Sequence, residues 1–202
     1  MRRLTGGRLV LATHNTGKVE EIADLLRPYE IDLSCNADFG LPEPEETATT
    51  FAGNARIKAH VAAGATGLPA LADDSGIEID ALGGAPGVHT ADWAEGPEGR
   101  DFLRAMTRAH EALLATGASE PWKARFCCTL VLAWPDGHDE VFEGVCEGVV
   151  VWPMRGEKGH GYAPIFLPDG YDLTFGEMDR WEKNRISHRA DAFHKFVAGC
   201  LG

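Results

Sequence analysis

Two adjacent carboxylates at the end of an apolar run are costly to place, and Leu71-Ala72-Asp73-Asp74-Ser75-Gly76 contains them. The stretch continues through Ile77-Glu78-Ile79-Asp80 to the small-residue loop Gly83-Gly84-Ala85-Pro86-Gly87. Side chains on a strand alternate faces, so Asp73 and Asp74 cannot both simply point to water if the strand is central. Like charges this close repel unless a cation or a proton sits between them. Two readings follow. The pair is either a polar turn that ends the strand, or a carboxylate site that holds a divalent cation and activates a water. Glu46 adds a third carboxylate just before a predicted helix. It suits the helix dipole and equally a hard cation.

Three stretches place positive charge where an anion could bind. Thr13-His14-Asn15-Thr16-Gly17-Lys18 invites comparison with a Walker A loop and fails it, with Ala12 where the first glycine belongs and Val19 where Ser or Thr must follow the lysine. What survives is a polar loop, a helix N-terminus and a lysine, a combination that suits phosphate. Lys58 lies one turn from Asn54, on the same face of the next predicted helix. A lysine there is ordinarily solvated. Lys183-Asn184-Arg185-Ile186-Ser187-His188-Arg189 places cations at an expected helix start, where they oppose the dipole unless an anion sits among them. Glycines around His160 and Tyr162 allow the backbone to approach a flat ligand, or simply turn a hairpin.

These side chains need a frame. Residues 8–12 read as a buried strand, 18–26 as a helix closed by Pro28, and 50–63 as a second helix ended by Gly64. The stretch 31–45, with Pro42 and Pro44, reads as irregular. A strand over 68–72 feeds the two aspartates, and 77–82 reads as a short extended segment. Helical spacing over 97–115 gives way to alternation over 123–134 and 140–152, a long hairpin about Pro135-Asp136-Gly137. Residues 164–167 form a short apolar segment, and Ser187 reads as the N-cap of the last helix. The expected architecture is one α/β unit with a mixed sheet.

Composition narrows the function. The 202 residues carry a formal net charge of −12, so a nucleic-acid polymer is not the expected partner, whereas a small anion in a locally basic pocket is. Five cysteines without metal-ligand or CxxC spacing fit a reducing compartment, and Cys128 reads as a buried small hydrophobe. The apolar run 9–12 is too short for a signal-peptide core, and no stretch reaches membrane-spanning length. The expectation is a cytoplasmic protein.

Five blocks in order carry a resemblance: Thr13-x-Asn15-x-Gly17-Lys18; Glu46-x-x-x-Thr50-Phe51-x-x-Asn54-Ala55-x-x-Lys58-Ala59; Ala72-Asp73-Asp74-Ser75-Gly76 with Gly84-Ala85-Pro86-Gly87; Gly159-x-Gly161-Tyr162-x-Pro164; and Lys183-Asn184-x-x-Ser187-His188-Arg189. Together they resemble the inosine triphosphate pyrophosphatase family, over nearly the whole chain. The resemblance implies a single domain over 1–202, with an elongated mixed β-sheet flanked by helices and two lobes about a central cleft. It implies Mg²⁺-dependent hydrolysis of inosine and xanthosine triphosphates and their deoxy forms to the monophosphate and pyrophosphate, by a homodimer. Asp74 matches the family's general base, and Glu46 and Asp74, with Asp73 close by, its metal ligands. Thr13, His14, Asn15, Thr16, Gly17, Lys18, Lys58, Ser75, His160, Gly161, Tyr162, Ala163, Lys183, His188 and Arg189 match positions that contact substrate. One block departs from the pattern: Gly-Phe-Gly-Tyr-Asp-Pro is here Gly159-His160-Gly161-Tyr162-Ala163-Pro164. The stacking aromatic becomes an imidazole with less apolar area, and the carboxylate at Ala163 is gone. That departure leaves open a pyrophosphatase for another modified nucleotide. A nucleotide-binding sensor without turnover is the remaining alternative, which the crowded carboxylates argue against.

Overall fold

A computed structural model describes residues 1–5 and 7–201. Among the described residues the strands are β1 (Arg8–Leu11), β2 (Asp32–Cys35), β3 (Ala70–Ile79), β4 (Trp122–Ala133), β5 (Asp139–Val150) and β6 (Phe166–Pro168). The α-helices are α1 (Thr16–Leu26), α2 (Phe51–Thr66), α3 (Phe102–Thr116), α4 (Arg180–Ile186) and α5 (His188–Phe196). The sheet runs β2-β1-β3-β4-β5-β6. Strand β1 pairs in parallel with both β2 and β3, while β5 and β6 are antiparallel. The sheet is therefore mixed, as the β–loop–α opening and the later hairpin require.

The chain forms two compact units: Met1–Asp74 with Cys128–Gly144 and Asp191–Gly202, and Ser75–Cys127 with Val145–Ala190. In the first unit, strand alternation sorts the core into two layers. Leu9 and Leu11 of β1, Leu71 of β3 and Cys128, Leu130 and Leu132 of β4 pack with Ile22 and Leu26 of α1 and Phe193 and Phe196 of α5. Their neighbours Val10, Ala12, Ala70, Ala72, Val131 and Ala133 face the other way, onto the alanine face of α2. The second unit has one core, built from Ile77 and Ile79 of β3, Ala105, Met106, Ala109 and Leu113 of α3, and Phe126, Phe166 and Phe175.

Several elements differ from the sequence reading. Strand β2 lies within the stretch read as irregular; only four residues long and partly exposed, it draws its order from pairing with β1. Helix α2 runs through Gly64 to Thr66 and stops at Gly67, whose φ of 68° is the left-handed cap that ends a helix. Most consequential is β3. It does not end at Asp73-Asp74 but continues through both aspartates, Ser75 and Gly76 to Ile79. A polar turn is thereby excluded.

Candidate active site

Because β3 continues, period-two alternation applies to the carboxylates themselves. Asp73 shares the face of Leu71, toward α1, and Asp74 shares the face of Ala72, toward α2. Both are buried, at 1% and 6% exposure. Each finds a lysine on its own side. Lys18 Nζ of α1 lies 3.0 Å from Asp73 Oδ1. Lys58 Nζ of α2 lies 3.4 Å from Asp74 Oδ1 and 2.8 Å from Glu46 Oε1. Lys58 is itself only 4% exposed, so it is not the solvated lysine that its spacing suggests. Asn54, one turn earlier, donates from Nδ2 to Asp74 Oδ2 at 3.2 Å and accepts at Oδ1 from the Ala48 N–H at 2.9 Å.

The charges in this cluster are strongly coupled. Burial pushes the Asp74 carboxyl above the usual carboxylate range; Lys58 and Lys18 pull it down, and Glu46 and Asp73 push it further up. Burial alone would lower the Lys58 ammonium, but Asp74, Asp73 and Glu46 together hold it above the ordinary lysine value. Burial is the larger cause for Asp74, whereas the surrounding carboxylates outweigh burial for Lys58. A carboxylate held above its usual range is a stronger base, which general-base chemistry near neutrality needs.

The loop before α1 is ordered by its own side chains. Asn15 caps the helix, its Oδ1 accepting from the Lys18 N–H at 3.2 Å, and Thr13 Oγ1 accepts from the Asn15 N–H at 3.1 Å. His14 Nε2 lies 2.8 Å from the Leu41 carbonyl, so that nitrogen carries the proton. Thr13 is buried, Asn15 and Thr16 are exposed, and Gly17 and Lys18 are half-buried. The helix N-terminus thus presents a polar lip beside a lysine, a setting favourable to anions.

In the second unit, Arg189 Nη2 donates to Ser75 Oγ at 3.3 Å, and the His188 ring stacks on Phe126 with centroids 4.9 Å apart. Ser187 Oγ accepts from the Ala190 N–H at 3.2 Å, the N-cap expected of it. The expectation that Lys183 and Arg185 oppose a helix dipole is corrected. They lie in the last turn of α4, where cations are favourable, and only His188 and Arg189 begin α5. His160 is exposed. Ala163 is buried, and a Cβ added at Gly159 would lie 2.9 Å from its Cβ and 3.7 Å from Lys183 Nζ, so the three share one corner. Tyr162 is fully buried, edge-on to Phe102 at 6.2 Å, and burial pushes its phenol up. Its ring belongs to the core.

Comparison with known proteins places this geometry. The model of the Ham1 family matches residues 9–199. The chain belongs to the Ham1 family. A dITP/XTP pyrophosphatase of Ruegeria pomeroyi is 67% identical, the alignment covering 100% of this chain and 98% of that protein. A dITP/XTP pyrophosphatase of Agrobacterium fabrum is 55% identical over 100% and 99%. A solved HAM1 protein from Coxiella burnetii superposes with a TM-score of 0.88 at 40% identity, over 95% of this chain and 97% of that one. The mixed sheet with its helices is the Ham1 fold, and the resemblance carried by the five sequence blocks leads to the same relatives.

Within this Ham1 chain, Asn54 is the residue that sequence reasoning quoted in a motif but gave no role. Its signal was a buried-type polar residue one turn before Lys58, on the same helix face. Among the described residues no three histidine, cysteine or carboxylate side chains converge into a ready-made metal cage. Glu46 and Asp74 do converge on one point, marked by the Lys58 ammonium. Two hard oxygen donors fit Mg²⁺, which is held by one or two carboxylates together with substrate phosphates rather than by an all-protein cage. No helix among the described residues is long and apolar enough to cross a membrane.

Proposed function

We propose that this protein hydrolyses the triphosphates of inosine and xanthosine and their deoxy forms to the monophosphate and pyrophosphate, removing them from the cytoplasmic nucleotide pool. The observation that carries the reading is the buried Asp74, with Asn54 on one oxygen and Lys58 on the other, beside Glu46. Asp74 takes a proton from water as the water oxygen bonds to the α-phosphorus. The bond from that phosphorus to the bridging oxygen breaks, and the electron pair leaves with pyrophosphate. Glu46 and Asp74 would hold Mg²⁺, which supplies neutralisation of the phosphate oxygens and polarises the attacked group. Lys18 and Lys58 exchange their carboxylate partners for phosphate oxygens, fixed positive charge being most of what phosphoryl chemistry asks of a protein. Asp73, holding Lys18, supports the site and is the least direct of the three carboxylates.

Thr13 to Lys18 are proposed to cradle the phosphates. From the second unit Ser75, Lys183, His188 and Arg189 are carried over as substrate contacts, with His160 to Ala163 reading the base. The altered pair His160 and Ala163 leaves Lys183 next to an alanine where relatives' sequence pattern has a carboxylate, which favours relaxed base selection with hydrolysis retained. We carry the homodimer over from the same resemblance, and light scattering of the purified protein tests it. The function itself is tested by pyrophosphate release over a nucleotide panel, with Mg²⁺ and after chelation. Release from inosine or xanthosine triphosphate only with Mg²⁺, abolished in Asp74→Asn while nucleotide still binds, is expected. No release from any nucleotide would overturn the enzyme reading, and an active Asp74→Asn protein would overturn the base.

A further inference from the structure

We propose that Asn54 is a positioning residue for this reaction: one buried carboxamide sets the Asp74 carboxylate and the Glu46 segment at a fixed separation. The inference rests on the reading of Asp74 as base. Asn54 is 2% exposed, inside the first turns of α2, where an asparagine is poorly placed for helix propensity and costly to bury unless satisfied. Both ends of its amide are used. Oδ1 accepts from the Ala48 N–H, a group that can only donate, so Nδ2 must be the end that meets Asp74 Oδ2. Asp74 is thereby divided, one oxygen to Asn54 and the other to Lys58. When Lys58 turns to phosphate, the Asn54 contact is the one that remains to orient the carboxylate.

The other end of the amide is aimed at the segment that brings in Glu46. Residues 41–48 form no helix or strand of their own, so their course depends on such contacts. Ala48 stands two residues after Glu46, and Gly53 makes its approach possible: a Cβ added at Gly53 would lie 2.5 Å from Ala48 Cβ and 3.1 Å from Thr50 Oγ1. Thr50 Oγ1 in turn accepts from the Gly53 N–H at 3.1 Å, which caps the helix. A buried asparagine needs partners at both ends of its amide. Here the second end is spent on the reactive carboxylate.

Two variants separate the two ends. Asn54→Asp keeps the shape and the acceptor for Ala48, but replaces the donor to Asp74 with a repelling carboxylate. Gly53→Ala leaves the Asn54 side chain in place and pushes Ala48 away. Steady-state kinetics of pyrophosphate release, melting temperature and amide exchange at Ala48 are measured for both, with Asp74→Asn alongside. Asn54→Asp is expected to lower kcat by about tenfold to a hundredfold with KM within about threefold, since small displacements of a reacting group have costs of that order. Its Ala48 amide stays protected. Gly53→Ala is expected to lose that protection and also to lose kcat. A merely structural Asn54 would lower the melting temperature and leave the kcat of the folded fraction unchanged. Full kcat in Asn54→Asp with an inactive Asp74→Asn overturns this inference and leaves the base assignment standing, whereas an active Asp74→Asn overturns the assignment beneath it. If Asn54→Asp does not fold, Gly53→Ala decides: wild-type kcat with an unprotected Ala48 amide refutes the coupling.

Discussion

Replacing Lys58 with methionine removes one positive charge from the candidate site and almost nothing else, because methionine retains most of the stem. In the native protein that ammonium lies 2.8 Å from Glu46 and 3.4 Å from Asp74. Removing one partner of a buried pair strands the other and costs about 3–5 kcal/mol. The lower end applies here. The Glu46 side chain is 35% exposed and rehydrates, and Asp74 keeps its hydrogen bond from Asn54. A loss of about 3 kcal/mol corresponds to a melting point lowered by about 6–12 °C in a chain of this size. Calorimetry at about pH 8 and about pH 5 checks both the magnitude and the cause. Asp74 is already held above the usual carboxylate range, and losing Lys58, one of the two cations that pull it down, raises it further. As pH falls, Asp74 takes up a proton in the variant before it does so in the native protein, the stranded charge disappears, and the deficit shrinks. A divalent cation should raise the melting point of Lys58→Met more than that of the native protein, because it can take the ammonium's place between two carboxylates. A variant that melts within about 2 °C of the native protein refutes the reasoning. So does a deficit unchanged by acid.

Asp74→Asn, expected to lose turnover, should be more stable than the native protein near neutral pH. A carboxyl whose folded pKa is raised binds its proton more readily folded than unfolded, so the ionised form opposes folding. The gap in melting temperature should close as pH falls through the raised value toward the unfolded one, and a gap independent of pH contradicts the assigned shift. His160→Phe combined with Ala163→Asp should sharpen the preference for inosine over adenosine triphosphate in kcat/KM; equal discrimination by the native protein and the double variant disposes of relaxed base selection. Gly148→Ala, away from the site, forces a Cβ to 2.4 Å from the Leu167 carbonyl and 2.7 Å from the Phe166 ring. Overpacking of that kind costs about 1–3 kcal/mol, which urea unfolding should read while kcat of the folded protein stays unchanged.

How much of this could be read from the residues depends on what decides each element. The opening strand and helix and the long hairpin follow from periodicity, which is local, and their positions hold. Strand β2 is invisible to periodicity because four half-exposed residues between turn signals carry no pattern; parallel pairing with β1 makes it a strand. Helix α4 is equally hidden. Trp181 is exposed and the rest of Arg180–Ile186 is largely polar, so nothing in the sequence separates it from α5. With that boundary no misfit of cations at a helix start remains, so the proposal of Lys183 as a substrate contact rests on its sequence block alone.

The two aspartates show what adjacency achieves. Spacing them by two would put both carboxylates on one face, where a single helix would have to neutralise them. Adjacency on a continuous strand instead sends one to α1 and the other to α2, and each helix meets its carboxylate with a lysine, Lys18 from the first turn of α1 and Lys58 from the middle of α2. Lys18 and Lys58 are thereby both paired to the same strand. Asp74 has a neutral donor, Asn54, in addition to its lysine. A neutral donor holds orientation without cancelling charge, and that is what a base must keep if it is to remain both aimed and basic. Asp73 has its charge offset by Lys18 and 0% exposure of its side chain, conditions that suit an anchor rather than a proton acceptor. The proposed division of labour between neighbours rests on the strand's period, which applies to both aspartates only because the strand continues through them.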